Sequence, residues 1–155
     1  MRPVRLAFLA LLVVATASCT FEATTAPAKV KIEEATFSPS LGITLSAMTK
    51  TSSGLYYQDV VAGTGVTAVS GNTVTVKYTG YLVNGSSFDA NATGFKFKLG
   101  NGDVIKGWDE GVAGMKVGGS RKLVIPPDLA YGSTAVGSIP ANSILVFTVQ
   151  LISIP

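Results

Sequence analysis

Hydrophobic and polar residues alternate over much of the second half of the chain. Thr73-Val74-Thr75-Val76-Lys77-Tyr78-Thr79 places Val74, Val76 and Tyr78 on one face and Thr73, Thr75, Lys77 and Thr79 on the other. That two-residue period predicts a half-buried antiparallel strand. Phe95-Lys96-Phe97-Lys98-Leu99 repeats it with lysines outward, and Leu55 to Val60, Arg121 to Ile125 and Ile144 to Ile152 predict three more strands. Asn84-Gly85, between Tyr81-Leu82-Val83 and Phe88, is a hairpin-turn signal. One segment has helical spacing instead. Trp108, Val112 and Met115 recur at four and three residues, which predicts a short helix from about Gly107 to Met115. Asp109 and Glu110 open it and favourably oppose its dipole, while Gly111 and Gly114 weaken it by about 1 kcal/mol each relative to alanine. The predicted class is α+β: a five-stranded twisted antiparallel sheet wrapped around one short helix, whose apolar face nothing else can cover.

The start of the chain follows a different pattern. Arg2 and Arg5 precede an apolar run, Leu6 to Ala17, of about twelve residues. That is below the ~20 residues needed to span a bilayer and has the layout of an export signal. Residues 1–18 are therefore expected to be a signal peptide. Thr16-Ala17-Ser18-Cys19 resembles a bacterial lipobox, with Thr16 where leucine is preferred, and Cys19 is the single cysteine of the chain. Lipidation at Cys19 is the expectation; Ala15-Thr16-Ala17 also reads as an ordinary cleavage site after Ala17. A lipidated Cys19 followed by Thr20 implies a protein exported to the bacterial envelope, anchored by lipid in the outer membrane and facing the periplasm. Residues 19–51, rich in Thr, Ala, Ser and Pro, form a tether and N-terminal extension, and Phe37 to Leu45 is expected to dock apolar side chains on the domain. Residues 52–155 are the folded domain.

Composition narrows the chemistry. The chain has 155 residues and no histidine, which removes Ser/His and Cys/His catalytic pairs and imidazole zinc sites. One cysteine allows no internal disulfide and no thiolate cluster. No metal and no cofactor is expected. The net charge is +3, but without Arg2 and Arg5 ten basic residues face nine acidic ones, which is +1. The lysines are interleaved with Asp103, Asp109, Glu110 and Asp128 rather than gathered on one face, so nucleic acid is not an expected partner. Asp109 and Glu110 are neighbours on a helix and cannot face one cleft as a glycosidase pair. Gly63-Thr-Gly65 and Gly111-Val-Ala-Gly114 lack the strand and long helix of a dinucleotide site.

What remains is an aromatic inventory: Tyr78, Phe88, Phe95, Phe97, Trp108, Tyr131 and Phe147, with Asp89 directly after Phe88. Aromatics in a small domain are mostly core, but Tyr78 and Tyr131 carry hydroxyls that need partners if buried. Asp89 has two readings. It is either a turn residue accepting from the backbone of Ala90 to Ala92, or a functional carboxylate accepting from Tyr78.

Val76-Lys77-Tyr78-Thr79-Gly80, Phe88-Asp89, Phe95-Lys96-Phe97, Val104-Ile105-Lys106-Gly107-Trp108-Asp109-Glu110-Gly111, Ile125-Pro126-Pro127-Asp128-Leu129-Ala130-Tyr131-Gly132 and Ile139-Pro140-Ala141-Asn142-Ser143-Ile144-Leu145-Val146-Phe147 together resemble an FKBP-type peptidyl-prolyl cis-trans isomerase. The blocks stand in that family's order and cover about residues 52 to 155. The resemblance implies an FKBP-like sheet around the helix with a shallow apolar pocket between them. It implies Trp108 as floor and Phe88, Phe95, Phe97, Val104, Ile139 and Phe147 as further substrate-binding residues. Tyr78, Asp89, the backbone N–H of Ile105 and the Tyr131 hydroxyl are the implied catalytic groups. Implied partners are proline-containing polypeptides and macrolides of the FK506 type, on a monomer. The implied function is acceleration of X-Pro rotation in envelope proteins during folding; the alternative is a proline-directed binding module or chaperone with little turnover. Three departures stand out: Ala90 to Gly94 is short and lacks the arginine that often pairs with the aspartate, the loop Ser133 to Ser138 is slightly short, and Asn142 stands where many relatives carry histidine.

Overall fold

The computed structural model describes residues 27–155. The expected signal peptide and Cys19 lie outside the described residues. Six strands form one antiparallel sheet: β1 (Thr49–Lys50), β2 (Tyr56–Val61), β3 (Thr73–Leu82), β4 (Ser87–Lys98), β5 (Ser120–Ile125) and β6 (Leu145–Ser153), in the order β1-β2-β5-β6-β3-β4. The sequence predicts five. The sixth, β1, is two residues that pair Thr49 with Tyr57 and Lys50 with Tyr56, too short to show a period. The single α-helix among the described residues, α1 (Lys106–Gly111), lies across one face.

Alternation sorts the side chains. Val74 and Val76 of β3, Phe97 of β4, Leu123 and Ile125 of β5 and Phe147, Val149 and Leu151 of β6 join Trp108, Val112 and Met115 in one buried cluster. The intervening residues of the central strands, Val124 and Val146, are 0% and 1% exposed, so the other face is covered too. Its cover is the segment 27–48, a strap of three 3-10 turns whose Ile32, Leu41 and Met48 pack on Tyr56, Val124, Ile144 and Val146. Polar contacts hold it down. Glu33 accepts from the Tyr56 hydroxyl at 2.7 Å and from Lys50 at 2.5 Å, and these donors hold its carboxyl down to about 2. Lys122 donates to the Leu41 carbonyl at 2.5 Å, and the Ser38 N–H donates to the Val83 carbonyl at 2.8 Å. The docked stretch thus begins ahead of Phe37.

The helix is shorter than its spacing predicts. It ends at Gly111, and Gly114 takes φ +78° with its N–H on the Ala68 carbonyl. Met115 reaches the core from that turn, not from the helix. Gly107 and Gly111 face β5 so closely that a Cβ would lie 2.4 Å from Ile125 and 2.7 Å from Leu123. Their cost in helix propensity accompanies a close helix–sheet approach. Arg121, 6% exposed, fixes the far end of this region. It grips Asp59 through Nε (2.7 Å) and Nη2 (3.1 Å), and its Nη1 donates to the carbonyl of Gly111 (3.0 Å), an orphan acceptor at the helix end, and to that of Ala113 (3.1 Å) in the turn beyond it. Asp109 does not act on its own helix alone: its carboxylate accepts from the N–H of Gly100 and of Gly102, fastening the turn after β4.

Candidate functional site

A cavity of about 300 Å³ opens where α1 meets the concave face of the sheet, lined by Tyr78, Phe88, Asp89, Phe95, Asp103, Val104, Ile105, Trp108, Tyr131 and Phe147. Trp108, 2% exposed, is its centre. Tyr78 stands edge-on to the indole at 4.8 Å between centroids, Phe147 at 5.3 Å and Phe95 at 6.1 Å. Phe88 closes the ring through an edge contact with Phe147 at 5.5 Å. Such edge-to-face pairs add to burial and fix ring orientation. The indole N–H is buried without a hydrogen-bond partner among the described residues; aromatic edges and faces surround it.

Two sequence-predicted wall residues stand behind the wall. Phe97, 4% exposed, stacks beneath Phe95 at 5.8 Å and supports the indole at 5.6 Å. Ile139, 6% exposed, exchanges backbone hydrogen bonds with Val136 at 2.9 Å and belongs to the core cluster. Both are large apolar residues on strands or turns next to the pocket, so composition alone does not separate them from its lining. Asp103, which the sequence reading did not single out, does line the cavity. It accepts from the Lys98 N–H and from Asn101, which lower its pKa.

The polar groups gather on one rim. The Tyr78 hydroxyl donates to Asp89 Oδ2 at 2.6 Å. Burial first, and then this bond to a carboxylate, push the Tyr78 phenol up to about 12, so it stays a neutral donor through the physiological range. Asp89 is not the turn residue of the alternative reading. It lies on β4 opposite Gly80, and the stretch Ala90 to Gly94 is no loop but a bulge within that strand. There Asn91 Oδ1 accepts from the N–H of Thr93 (3.1 Å) and Gly94 (2.8 Å). Ile105 is the residue before α1, its carbonyl taking the N–H of Trp108 at 2.9 Å. Its own N–H has no acceptor among the described residues. Tyr131, 38% exposed, lines the same cavity.

A second residue that shapes the site was also not legible in the sequence. Gly80 sits on β3 beneath the two phenylalanines, and a Cβ there would lie 2.6 Å from Phe88 and 2.7 Å from Phe147. No local signal marks it, since the contact joins three strands.

A larger cavity, about 470 Å³, lies between residues 27–36 of the strap and the segment Pro140–Ile144. It brings a single charged side chain, Glu34, to a mostly apolar wall. A site needs a few convergent polar groups over an apolar floor, and the smaller cavity over Trp108 has them. Among the described residues no group of three or more His, Cys, Asp or Glu could hold a metal ion.

Residues 65–152 match the model of the family described as FKBP-type peptidyl-prolyl cis-trans isomerase. A similar curated protein is FK506-binding protein 4 of Aspergillus fumigatus, 54% identical over 103 residues, which are 65% of this chain and 21% of that protein. The chain therefore spans about a fifth of that relative's length. Among solved structures, FkpA from Escherichia coli is 45% identical with a TM-score of 0.65, over 70% of this chain and 51% of that one. AtFKBP13 is 38% identical with a TM-score of 0.65, over 70% of this chain and 98% of that one.

Proposed function

The chain belongs to the FKBP-type peptidyl-prolyl cis-trans isomerase family, and on that premise we propose that it accelerates cis-trans rotation about X-Pro bonds in polypeptides. The observation that supports this most is convergence over one apolar floor. The Tyr131 hydroxyl, the Ile105 N–H and the Tyr78–Asp89 pair ring a cavity based on Trp108.

An X-Pro bond turns slowly because amide resonance raises a barrier of roughly 18–20 kcal/mol. In the twisted transition state that resonance is lost and charge separation falls. A dry aromatic pocket favours this less polar state over the planar amide. The proline ring sits on Trp108, the N–H of Ile105 and the hydroxyl of Tyr131 donate to substrate carbonyls, and the Tyr78–Asp89 pair borders the rotating bond. Donors that fit the twisted geometry better than the planar one bind selectively where it raises rate. A barrier lowered by about 4–8 kcal/mol gives roughly a 10³–10⁶-fold acceleration.

The test is a protease-free isomerisation assay on a proline-containing tetrapeptide, beside a thermal melt. The wild type should accelerate the exchange. Asp89→Leu should lower kcat/KM by about tenfold, about 1.4 kcal/mol of transition-state stabilisation, with the melting temperature unchanged or raised because Asp89 is exposed. A wild type that binds the tetrapeptide without turnover would leave a proline-directed binding module instead. Macrolides of the FK506 type are proposed as competing ligands, read through Trp108 emission.

The proposed setting is the bacterial envelope, with clients that are exported proteins in the course of folding. Its support is the basic start, the short apolar run and the position of Cys19. Labelled fatty acid should enter the wild type and not Cys19→Ala; equal label in both would end the lipid-anchor proposal.

A further inference from the structure

We propose, taking the isomerase reading as its basis, that Asn142 is a positioning residue that holds the Tyr131 segment in place by tying it to the N-terminal strap. Asn142 is the one non-glycine residue with positive φ among the described residues, at 57°. That left-handed conformation is costly for most L-residues and least so for Asn and Asp. In this conformation the residue makes two bonds in different directions. Its backbone N–H donates to the carbonyl of Gly132 at 2.7 Å, and its side-chain amide donates to the carbonyl of Pro27 at 2.7 Å. Gly132 follows Tyr131 directly.

The segment that carries Tyr131 is gripped from a second side. Gly132 donates to the Pro127 carbonyl at 2.9 Å, closing the stretch over the 3-10 turn Pro127–Leu129. Asp128 of that turn pairs with Lys29 of the strap. Residues 27–29 thus hold both the turn before Tyr131 and, through Asn142, the carbonyl just after it. Tyr131 needs such support. It is exposed on the rim, and its hydroxyl bonds to none of the described residues, so its place over the cavity is set by its backbone. Glycine would supply the same backbone conformation with no strain. Asparagine adds the amide that reaches Pro27.

The experiment is a double-mutant cycle on the full chain, read as kcat/KM for a proline-containing tetrapeptide. Asn142→Gly keeps the left-handed backbone and removes only the amide tie. It should lower kcat/KM by about three- to tenfold. In a Tyr131→Phe background the same substitution should cost less than about twofold, because the hydroxyl it positions is gone. Asn142→Asp, which tolerates the backbone but turns a carboxylate on the Pro27 carbonyl, should lose at least as much as Asn142→Gly. Equal losses in the two backgrounds, or no loss at all, would overturn the proposal while leaving the isomerase reading intact. If the wild type binds the tetrapeptide without turning it over, the isomerase reading falls and the same cycle is scored on Kd from Trp108 emission. A wild type that neither turns over nor binds the tetrapeptide overturns both.

Discussion

Leu41→Ala and Ile32→Ala should each lower the free energy of unfolding in urea by about 2–4 kcal/mol, the cost of truncating a buried leucine or isoleucine in a domain core. Both residues stand outside the isomerase-like sequence blocks, Leu41 in the stretch expected to dock and Ile32 ahead of it, where the composition reads as a tether. Yet Ile32 is 3% exposed and Leu41 6%, and both press on Val124 and Val146 at the centre of the sheet. A central strand with apolar residues on both faces must be covered on both sides. Helix α1 covers one, and the strap is the cover of the other. The ion pair of Glu33 and Lys50 contributes little to this, since both side chains are about half exposed and exposed pairs are screened. Its part is present above the ordinary glutamate range and fades as pH falls towards about 2. The loss in either alanine variant also has a ceiling. Once the strap releases, no further contact can be lost, so the double variant should fall short of the sum of the singles. Wild-type midpoints for both variants would return residues 27–48 to the status of a removable tether.

The same strap shows where the sequence was legible and where it was silent. Strands β3, β5 and β6 were legible because alternation is a local signal: Val74, Val76 and Tyr78 declare their face by spacing alone. The tight turn was legible because Asn84-Gly85 carries its own chemistry, with Gly85 at φ +89° and Asn84 accepting from the Ser86 N–H. Phe37 to Leu45 is expected from the sequence to dock, and Phe37, Leu41, Ile43 and Leu45 do pack with the second cluster. Ile32 and Met48 lie outside that stretch, in and just after short 3-10 turns, and nothing in their spacing marks them as part of the same strap. The bulge at Asn91 read as a loop because Ala-Asn-Ala-Thr-Gly has poor strand propensity; a side-chain oxygen accepting two backbone N–H groups keeps it in the sheet. The helix read too long because Val112 and Met115 continue its spacing through a turn that only Gly114 breaks. At the site, the residues that line the cavity and those that stand behind it, Phe97 and Ile139, have the same chemistry. Depth below a pocket surface is a tertiary quantity. Gly80 is the extreme case, since its meaning lies wholly in what two other strands place above it.

Gly80→Ala should lower kcat/KM by about ten- to a hundredfold, roughly 1.4–2.7 kcal/mol, with a stability loss of about 1–3 kcal/mol from overpacking. The backbone at Gly80 does not need glycine for conformation, because its φ is not in the left-handed region. The need is for space. A methyl group would meet Phe88 at 2.6 Å and Phe147 at 2.7 Å, distances at which something must move. Phe147 is 4% exposed and boxed in by Trp108 and Tyr78, so it can yield only by displacing the floor. Phe88 is half-buried at the rim and yields more easily, swinging towards the volume the proline ring would fill. Gly80 also pairs with Asp89 across β3 and β4 and with Phe147 across β3 and β6, so any backbone shift there carries the Tyr78–Asp89 pair with it. Substrate binding should therefore weaken along with turnover. Trp108 emission should report the repacking even without ligand, as a shift in the unliganded spectrum. Phe88→Leu supplies the control. By removing ring atoms that the new methyl meets, it should restore part of the activity and stability lost in Gly80→Ala, so that the double variant outperforms the single one. An active, undisturbed Gly80→Ala protein, or a double variant worse than the sum of its parts, would show that the phenylalanines do not rest on the Gly80 backbone as this packing requires.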